Sequence, residues 1–303
     1  MKVFVIGATG YIGGSVAARL REAGHRVIGL VRTEESAAQL REGGIEPLLG
    51  SLSQIERLEQ AAHRADAVIN AAEAIDRGAV EALLKALAGS GKVFIHTSGS
   101  GVVGDLAVGE PGEHVFDEAT PFTPIPLMQG RFDIDRMVVE ASARKVRSVV
   151  LRPSMIYGQG LGLRRDSFQV PVLIAQAKAS GVPRHVGRGL NIWSHVHIDD
   201  LADLYLLALE RAPGGSLYYV EHGEDPMQDV VHAIRRMLGL APDPQSWPLD
   251  EAVKYWGPRT HVALGSNSRV RADKARKDLG WTPKGAPLLQ DIEYGSYREQ
   301  HRA

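Results

Sequence analysis

Short runs of β-branched and other apolar residues alternate, through the first half of the chain, with longer stretches in which apolar positions recur every three or four residues. The runs Lys2–Ile6, Arg26–Val31, Glu46–Leu49, Ala67–Asn70, Lys92–Thr97 and Ser148–Leu151 predict strands. Between them, Ile12, Val16, Ala17 and Leu20, then Ile55, Leu58 and Ala62, then Val80, Leu83, Leu84 and Leu87 predict one-sided helices. Repetition of strand, helix and strand implies an α/β fold, a doubly wound parallel sheet with helices on both faces. From Arg152 the rhythm gives way to loops punctuated by Pro153, Gly158, Gly160, Gly162, Pro171, Pro183, Gly187 and Gly189, with helices expected at 170–179 and 199–210. We therefore expect residues 1–153 to form one domain, to which 190–212 return. Residues 154–189 and 213–303 are expected to form a smaller mixed α/β lobe.

The first strand-to-helix junction carries Gly7-Ala8-Thr9-Gly10-Tyr11-Ile12-Gly13. In this context glycines have separate tasks: a tight turn off the strand, close approach of backbone to a pyrophosphate, and close packing of helix on sheet. The helix start then offers free N–H groups and a positive dipole end to the phosphates. Candidate cofactor contacts are Gly7, Thr9, Gly10, Tyr11, Ile12 and Gly13, with Ala71, Thr97 and Pro153 at the ends of later strands.

The spacing of this loop resembles that of the extended short-chain dehydrogenases/reductases, the epimerase/dehydratase superfamily. Later segments extend the likeness over nearly the whole chain: Leu151 to Gly158, Val196-His197-Ile198-Asp199-Asp200-Leu201-Ala202, and Asp273 to Trp281. The resemblance implies that 1–153, with 190–212, are a dinucleotide-binding Rossmann domain and that 154–189 and 213–303 are a small substrate-binding lobe, with a nicotinamide cofactor and a small-molecule substrate. An acidic residue about 20 positions beyond the glycines would select NAD(H), but this chain has Arg32 and Thr33 after its second strand. A guanidinium fork there suits a 2′-phosphate, so NADP(H) is preferred, with NAD(H) left open through Glu34 or Glu35. Ser51 stands where the family often has an Asp near the adenine.

The resemblance also implies a Tyr-x-x-x-Lys pair that protonates the substrate oxygen, and no tyrosine here is followed by lysine at that spacing. Aligning the helix by Glu140 places Phe132 in the Tyr slot and Arg136 in the Lys slot, leaving Arg136 to hold the nicotinamide ribose. Replacement catalytic groups are Ser98 and Ser100 in Thr97-Ser98-Gly99-Ser100, and the phenol of Tyr157. In His195-x-His197-x-Asp199-Asp200, Asp199 or Asp200 is read as the cap of the next helix and His197 as following the family's structural pattern, with no metal site. His114 is read as a solvated loop residue beside Asp117 and Glu118. Arg164, Arg165, Arg184 and Arg188 could meet an anionic substrate.

Composition narrows the classes. Lys and Arg number 35 against 36 Asp and Glu, which gives no basic footprint for nucleic acid or an anionic membrane. Cysteine is absent, which excludes disulfides and thiolate chemistry and is compatible with the cytoplasm. The apolar run after Met1 is cut by Gly7, too short for a signal segment. The first reading is an NADP(H)-dependent oxidoreductase acting at a carbonyl or related group of a small organic molecule. A nucleotide-sugar epimerase or dehydratase and a non-catalytic NADP(H)-sensing protein are the alternatives, and a homodimer is left open.

Overall fold

The computed structural model describes residues 1–301. The first half runs β1 (Lys2–Ile6), α1 (Tyr11–Glu22), β2 (Arg26–Val31), α2 (Glu34–Glu42), β3 (Glu46–Leu49), α3 (Ile55–Arg64), β4 (Ala67–Asn70), α4 (Arg77–Leu87), β5 (Val93–Thr97), α5 (Gln129–Glu140) and β6 (Arg147–Pro153). The second half runs β7 (Met155–Tyr157), α6 (Gln169–Ser180), β8 (Arg184–Val186), β9 (Ile192–His197), α7 (Ile198–Arg211), β10 (Ser216–Val220), β11 (Glu224–Pro226), α8 (Met227–Leu238) and β12 (Gln245–Trp247). It ends in α9 (Leu249–Trp256), α10 (Thr260–Ala263), α11 (Asp273–Leu279), α12 (Leu288–Tyr294) and α13 (Ser296–His301). None of the described helices is long and apolar enough to cross a membrane.

Seven strands form one parallel sheet in the order β10-β6-β5-β4-β1-β2-β3. The order reverses between β1 and β4, and in open α/β sheets the ligand crevice lies outside the carboxyl ends of the strands at such a point. Why the central strands are apolar along most of their length follows from this architecture. Val3 and Val5 of β1 pack on one face with Val16 and Leu20 of α1 and Leu201 and Leu204 of α7. Phe4 and Ile6 face the other way, onto Leu58 of α3, Val80, Leu83 and Leu84 of α4, and Ile134 and Val138 of α5. A strand covered on both faces has no polar side to alternate with. Each fully buried side chain of this size contributes about 1.5–3 kcal/mol.

The strand expected at 148–151 extends to Arg147–Pro153, and β10 corrects the domain boundary. Residues 216–220, expected in the substrate lobe, pair in parallel with 149–153 and close the large sheet. Leu279 and Trp281 also pack into the core beside α7, so part of the C-terminal segment serves the dinucleotide domain. The remaining second half has its own core, in which Tyr157, Ile174, Trp193, Val230 and Ile292 meet. Its strand β9 lies between β7 and β11.

The outer edge of β10 is an open hydrogen-bonding edge, and two side chains occupy it. Glu118 accepts from the Tyr219 N–H at 2.7 Å, and the Lys274 ammonium donates to the Leu217 carbonyl at 3.0 Å. One residue of an eighth strand would use this same donor and acceptor, so the pair blocks edge-to-edge addition. The double variant Glu118→Ala, Lys274→Ala should shift the protein toward larger species in light scattering after size exclusion. An unchanged distribution would mean that the pair guards nothing.

A second ion cluster fixes β11 to the segment before α11. Glu224 receives Arg269 at 2.6 Å and Arg271 at 3.0 Å. Burial alone would raise its carboxyl pKa, but the arginine hydrogen bonds overcome this and bring it down to about 2. Because the folded pKa lies below the unfolded one, the pair stabilises above the unfolded value near 4.5 and is lost as pH falls toward 2. Glu224→Gln should therefore cost about 1 kcal/mol at pH 7 after allowance for solvent screening. The difference from wild type, read from urea melts, should shrink between pH 4.5 and 2. A gap that stays constant over that range would contradict the assignment.

Candidate active site in the cleft at the sheet's carboxyl edge

The glycine loop leaves β1 where the strand order reverses. Gly7 has φ +90°, and a Cβ there would stand 2.7 Å from the Ala71 carbonyl oxygen; at Gly13 a Cβ would stand 2.3 Å from the Gly7 oxygen. The protein's own backbone therefore demands glycine at both positions. At Gly10 an added Cβ meets only the Gly7 oxygen, at 3.2 Å, so the space in front of Gly10 is open toward a ligand. Gly10 is also the N-cap of α1, with no side-chain cap and no acidic residue in the first turn. The residues present thus fit a pyrophosphate: free N–H groups, a positive helix end and no carboxylate in the helix's first turn.

A cleft of about 600 Å³ runs from this loop across the ends of β2 and β3, lined by Gly7, Thr9, Arg32, Thr33, Ser36, Ser51 and Glu73 among others. Arg32 is exposed and has no ion-pair partner among the described residues. Thr33 caps α2, its Oγ1 accepting from the Ser36 N–H at 3.2 Å and donating to the Ser36 hydroxyl at 3.1 Å. That leaves the Ser36 proton available, and Ser36 was legible only as the third residue after a Thr cap. Glu34 turns back toward Arg41, at 3.6 Å, and Ser51 bonds to Ser53 at 2.8 Å.

Other expected cofactor residues are engaged with protein. The Tyr11 hydroxyl donates to the Gly158 carbonyl at 2.9 Å, and Leu161 N–H donates to Ser15 at 3.0 Å, which ties the loop after β7 onto α1. Ile12 packs against the core beside α1. The Thr97 hydroxyl is buried against Tyr205 at 2.5 Å. Ala71 and Pro153 contribute backbone at the ends of β4 and β6.

The catalytic expectations fare unevenly. Ser100 is fully buried in a hydroxyl pair with Ser268 at 2.8 Å. Tyr157 is fully buried, its ring edge-on between His195 and His197, and its hydroxyl donates to the Ala286 carbonyl at 2.6 Å. Burial pushes its phenol pKa upward, the wrong direction for an acid that must work near neutrality. His195 pairs with Asp225 at 2.8 Å; the cap of α7 is His197, which accepts from the Asp199 N–H at 3.2 Å, and not Asp199 or Asp200 as expected, since both lie inside the first turn. His114 lines a separate cavity of about 250 Å³ with Asp105, Phe116, Asn267 and Arg269.

The register of α5 is corrected as well. Residues 131, 135 and 138 share one face, and Asp135 and Val138 are buried beneath the end of β5. Positions 132, 136 and 140 lie about 100° further round the helix. Arg136 is consequently at the surface beside Glu140, at 3.5 Å, and Phe132 packs edge-on against Phe122 at 5.2 Å between centroids. The cation that the helix turns to the cleft is Arg131. A Cβ on Gly99 would lie 3.4 Å from an Arg131 guanidinium nitrogen and 3.8 Å from the Pro153 carbonyl oxygen. Shifting the alignment to Arg131 still yields no phenol, because the residue four before it is Leu127.

Beneath Gly99 lies a sealed polar cluster. Asp135 is fully buried and its Oδ2 accepts from the Arg152 Nε at 2.7 Å and from the Ser98 hydroxyl at 2.9 Å. Arg152 donates to the Tyr219 hydroxyl at 2.9 Å and lies over the rings of Phe122, Phe132 and Tyr219. Burial pushes the Asp135 carboxyl up while Arg152 holds it ionised. His96, also fully buried, contacts the Asn70 amide through Nδ1 at 3.3 Å, and Asn70 Oδ1 accepts from Ala72 N–H at 3.3 Å. This fixes the amide with its NH2 toward His96 and puts the imidazole proton on Nε2, facing Asp135 Oδ1 at 4.0 Å. Burial, then the Arg131 charge, lowers the His96 pKa to about 3, so it is neutral at every working pH.

Comparison with known proteins agrees with this geometry. The family model described as NAD dependent epimerase/dehydratase family matches residues 3–220. An oxidase of Acremonium, ucsJ, is 30% identical over 96% of this chain and 95% of its own. A 4-hydroxy-2-methyl-3-oxo-4-farnesyl-3,4-dihydroquinoline-1-oxide ketoreductase of Stigmatella aurantiaca is 26% identical over 93% and 92%. The crystal structure of dTDP-glucose 4,6-dehydratase from Bacillus anthracis in complex with NAD superposes with a TM-score of 0.79 at 18% identity, covering 100% of this chain and 97% of that one, and so shares the fold. With its glycine cradle, its strand order and these matches, the chain belongs to the NAD-dependent epimerase/dehydratase family.

Proposed function

We propose that this protein is an NADP(H)-dependent oxidoreductase acting at a carbonyl or related group of a small organic substrate. The observation that carries the cofactor choice is the end of β2, where Arg32, Thr33 and Ser36 line the cleft and the nearest glutamate is drawn off by Arg41. A guanidinium with hydroxyl donors beside it matches a phosphate monoester, whereas a ribose diol would call for a carboxylate. Gly7, Gly10 and Gly13 would admit the pyrophosphate, with the first turn of α1 donating to it. The nicotinamide half would then run past the end of β4 toward Gly99 and Pro153. When bound, the cofactor supplies or accepts a hydride; this chain's residues position it and keep the second substrate beside it.

Redox chemistry is favoured over epimerisation because epimerases and dehydratases of this fold begin by taking a proton from an alcohol, and α5, whose Arg131 faces Gly99, carries no tyrosine. The Ser98 hydroxyl is already committed to Asp135, so it serves as a fixed prop for the loop. In a carbonyl reduction the proton on oxygen would come from water in the open cleft. Relatives that include an oxidase and a ketoreductase support a redox reading. The missing phenol equally favours a protein that reads NADP(H) without turnover, and that reading is kept for test.

Calorimetry should find NADPH bound at least tenfold more tightly than NADH, equivalent to about 1.4 kcal/mol. Arg32→Asp should reverse the order, and equal affinities in wild-type protein would remove the basis of the choice. Turnover is tested by NADPH oxidation against a panel of aldehydes, ketones, imines and enones. An oxidoreductase should turn over at least one class, with Tyr157→Phe within about threefold of wild-type kcat because its phenol holds a backbone carbonyl. A general acid lost would instead cost about 10²-fold or more. Tight NADPH binding without any turnover would decide for the sensing protein.

A further inference from the structure

Apart from the nucleotide cleft, a cavity of about 480 Å³ lies between the outer face of α5 and the edge strand β10. The rings of Phe122, Phe132 and Tyr219 form its walls, the two phenylalanines half-buried, and Arg152 closes its inner end. The Arg152 side chain is only 4% exposed. Its Nε donates to Asp135 and its Nη1 to the Tyr219 hydroxyl, while its Nη2 donates to nothing among the described residues. A buried N–H without an acceptor is costly, and an oxygen brought in by a ligand recovers that cost. The arginines that the sequence offered for an anion are placed otherwise: Arg184 lies over the ring of Trp247, Arg188 pairs with Glu110 at 3.1 Å, and Arg164 and Arg165 are on the loop after β7.

The charges around this cavity are already engaged. Asp135 answers Arg152 at 2.7 Å, and Arg136 pairs with Glu140 at 3.5 Å. Asp117 is taken up by its own turn, accepting from the Thr120 N–H at 2.8 Å, and Lys274 is held by the Leu217 carbonyl. A ligand carboxylate at Nη2 would therefore stand beside Asp135 without a cation of its own, and an ammonium would face the Arg152 guanidinium. Both arrangements are unfavourable, so the cavity suits an uncharged occupant. At the other end Glu118 gives one oxygen to the Tyr219 N–H at 2.7 Å and has its second open to a donor. Glu118 meets Tyr219 at its backbone and Arg152 meets it at its hydroxyl, so the two polar ends are one tyrosine side chain apart. That separation is spanned by a single ring with one polar group at each end.

We propose that this cavity is a second ligand site, separate from the nucleotide cleft, and that it takes a small uncharged aromatic molecule whose carbonyl oxygen accepts from Arg152 Nη2 and whose O–H or N–H donates to Glu118. The three rings favour an aromatic body, which can meet them edge-on or offset. Burial raises the Glu118 carboxyl pKa, and a donor arriving at its second oxygen offsets that cost. Arg152 also holds Asp135, which carries the Ser98 hydroxyl, so an occupant that fixes the guanidinium steadies the wall between this cavity and the nucleotide cleft. The site goes beyond the oxidoreductase reading and does not rest on it.

Calorimetry with 4-hydroxybenzamide, 4-hydroxybenzoate and 4-hydroxybenzylamine tests the site without recourse to activity. Wild type should bind the amide saturably, with a Kd of about 1 mM or tighter, and about fivefold or more in preference to the acid and the amine. Saturating NADPH should leave the amide bound. Phe132→Ala, which removes one wall, should weaken it about tenfold. Val139→Phe, which fills the cavity from α5, should do the same, and serves if the first variant fails to fold. Glu118→Gln should weaken 4-hydroxybenzamide but improve 4-methoxybenzamide, because the glutamine NH2 can donate to the ether oxygen. No binding of the amide, a preference for the acid or the amine, or unchanged affinity in both Phe132→Ala and Val139→Phe would overturn the proposal. So would displacement of the amide in proportion to added NADPH, since the amide would then lie in the nucleotide cleft.

Discussion

The buried ion pair between Asp135 and Arg152 is the joint on which the site depends. It links α5 to β6, and through the Ser98 hydroxyl it reaches the loop after β5, so three elements that border the cleft share one carboxylate. Two charges taken out of water recover their desolvation cost only when geometry and further hydrogen bonds are good. Here Tyr219 takes a second Arg152 nitrogen and three aromatic rings surround the guanidinium. Removing either partner alone would strand the other, at about 3–5 kcal/mol.

That joint also sets the phase of α5. Once Asp135 points inward, Arg131 one turn earlier must face the cleft, and Phe132 and Arg136 must face away. The helix thereby presents a guanidinium where related enzymes present their phenol and ammonium pair. The chemistry that remains at this point is electrostatic: a fixed cation, a neutral imidazole and a serine whose proton is committed.

Much of this was legible in the sequence, and the reasons are physical. β1, β2 and β4 were legible because strands buried on both faces are apolar along most of their length, and the glycine loop because backbone clashes admit nothing else at Gly7 and Gly13. The orientation of α5 was not, since its approach is a run of prolines and its apolar positions are few: Ile134 and Val138 are buried, while Met137 and Val139 are only partly so. The buried carboxylate that decides its phase looks, in sequence, like one more polar residue among Asp133, Asp135 and Arg136. Likewise Ser100 and Tyr157 carry reactive groups in suggestive places, and only the partners Ser268 and Ala286, each more than 120 residues away, reveal that those groups are engaged. Residues 216–220 were assigned to the wrong lobe because strand pairing across 60 or more residues leaves no local trace.

The central proposal is that an NADP(H) molecule lies along the carboxyl edge of the sheet, from Arg32 to Arg131. A crystal structure of the protein with NADP+ tests it most directly. The account predicts the 2′-phosphate within about 3 Å of the Arg32 guanidinium and the Ser36 hydroxyl, and the nicotinamide ring over Gly99 with Arg131 at its edge. A 2′-phosphate pointing into solvent, or a nicotinamide ring lying away from Gly99, would contradict it.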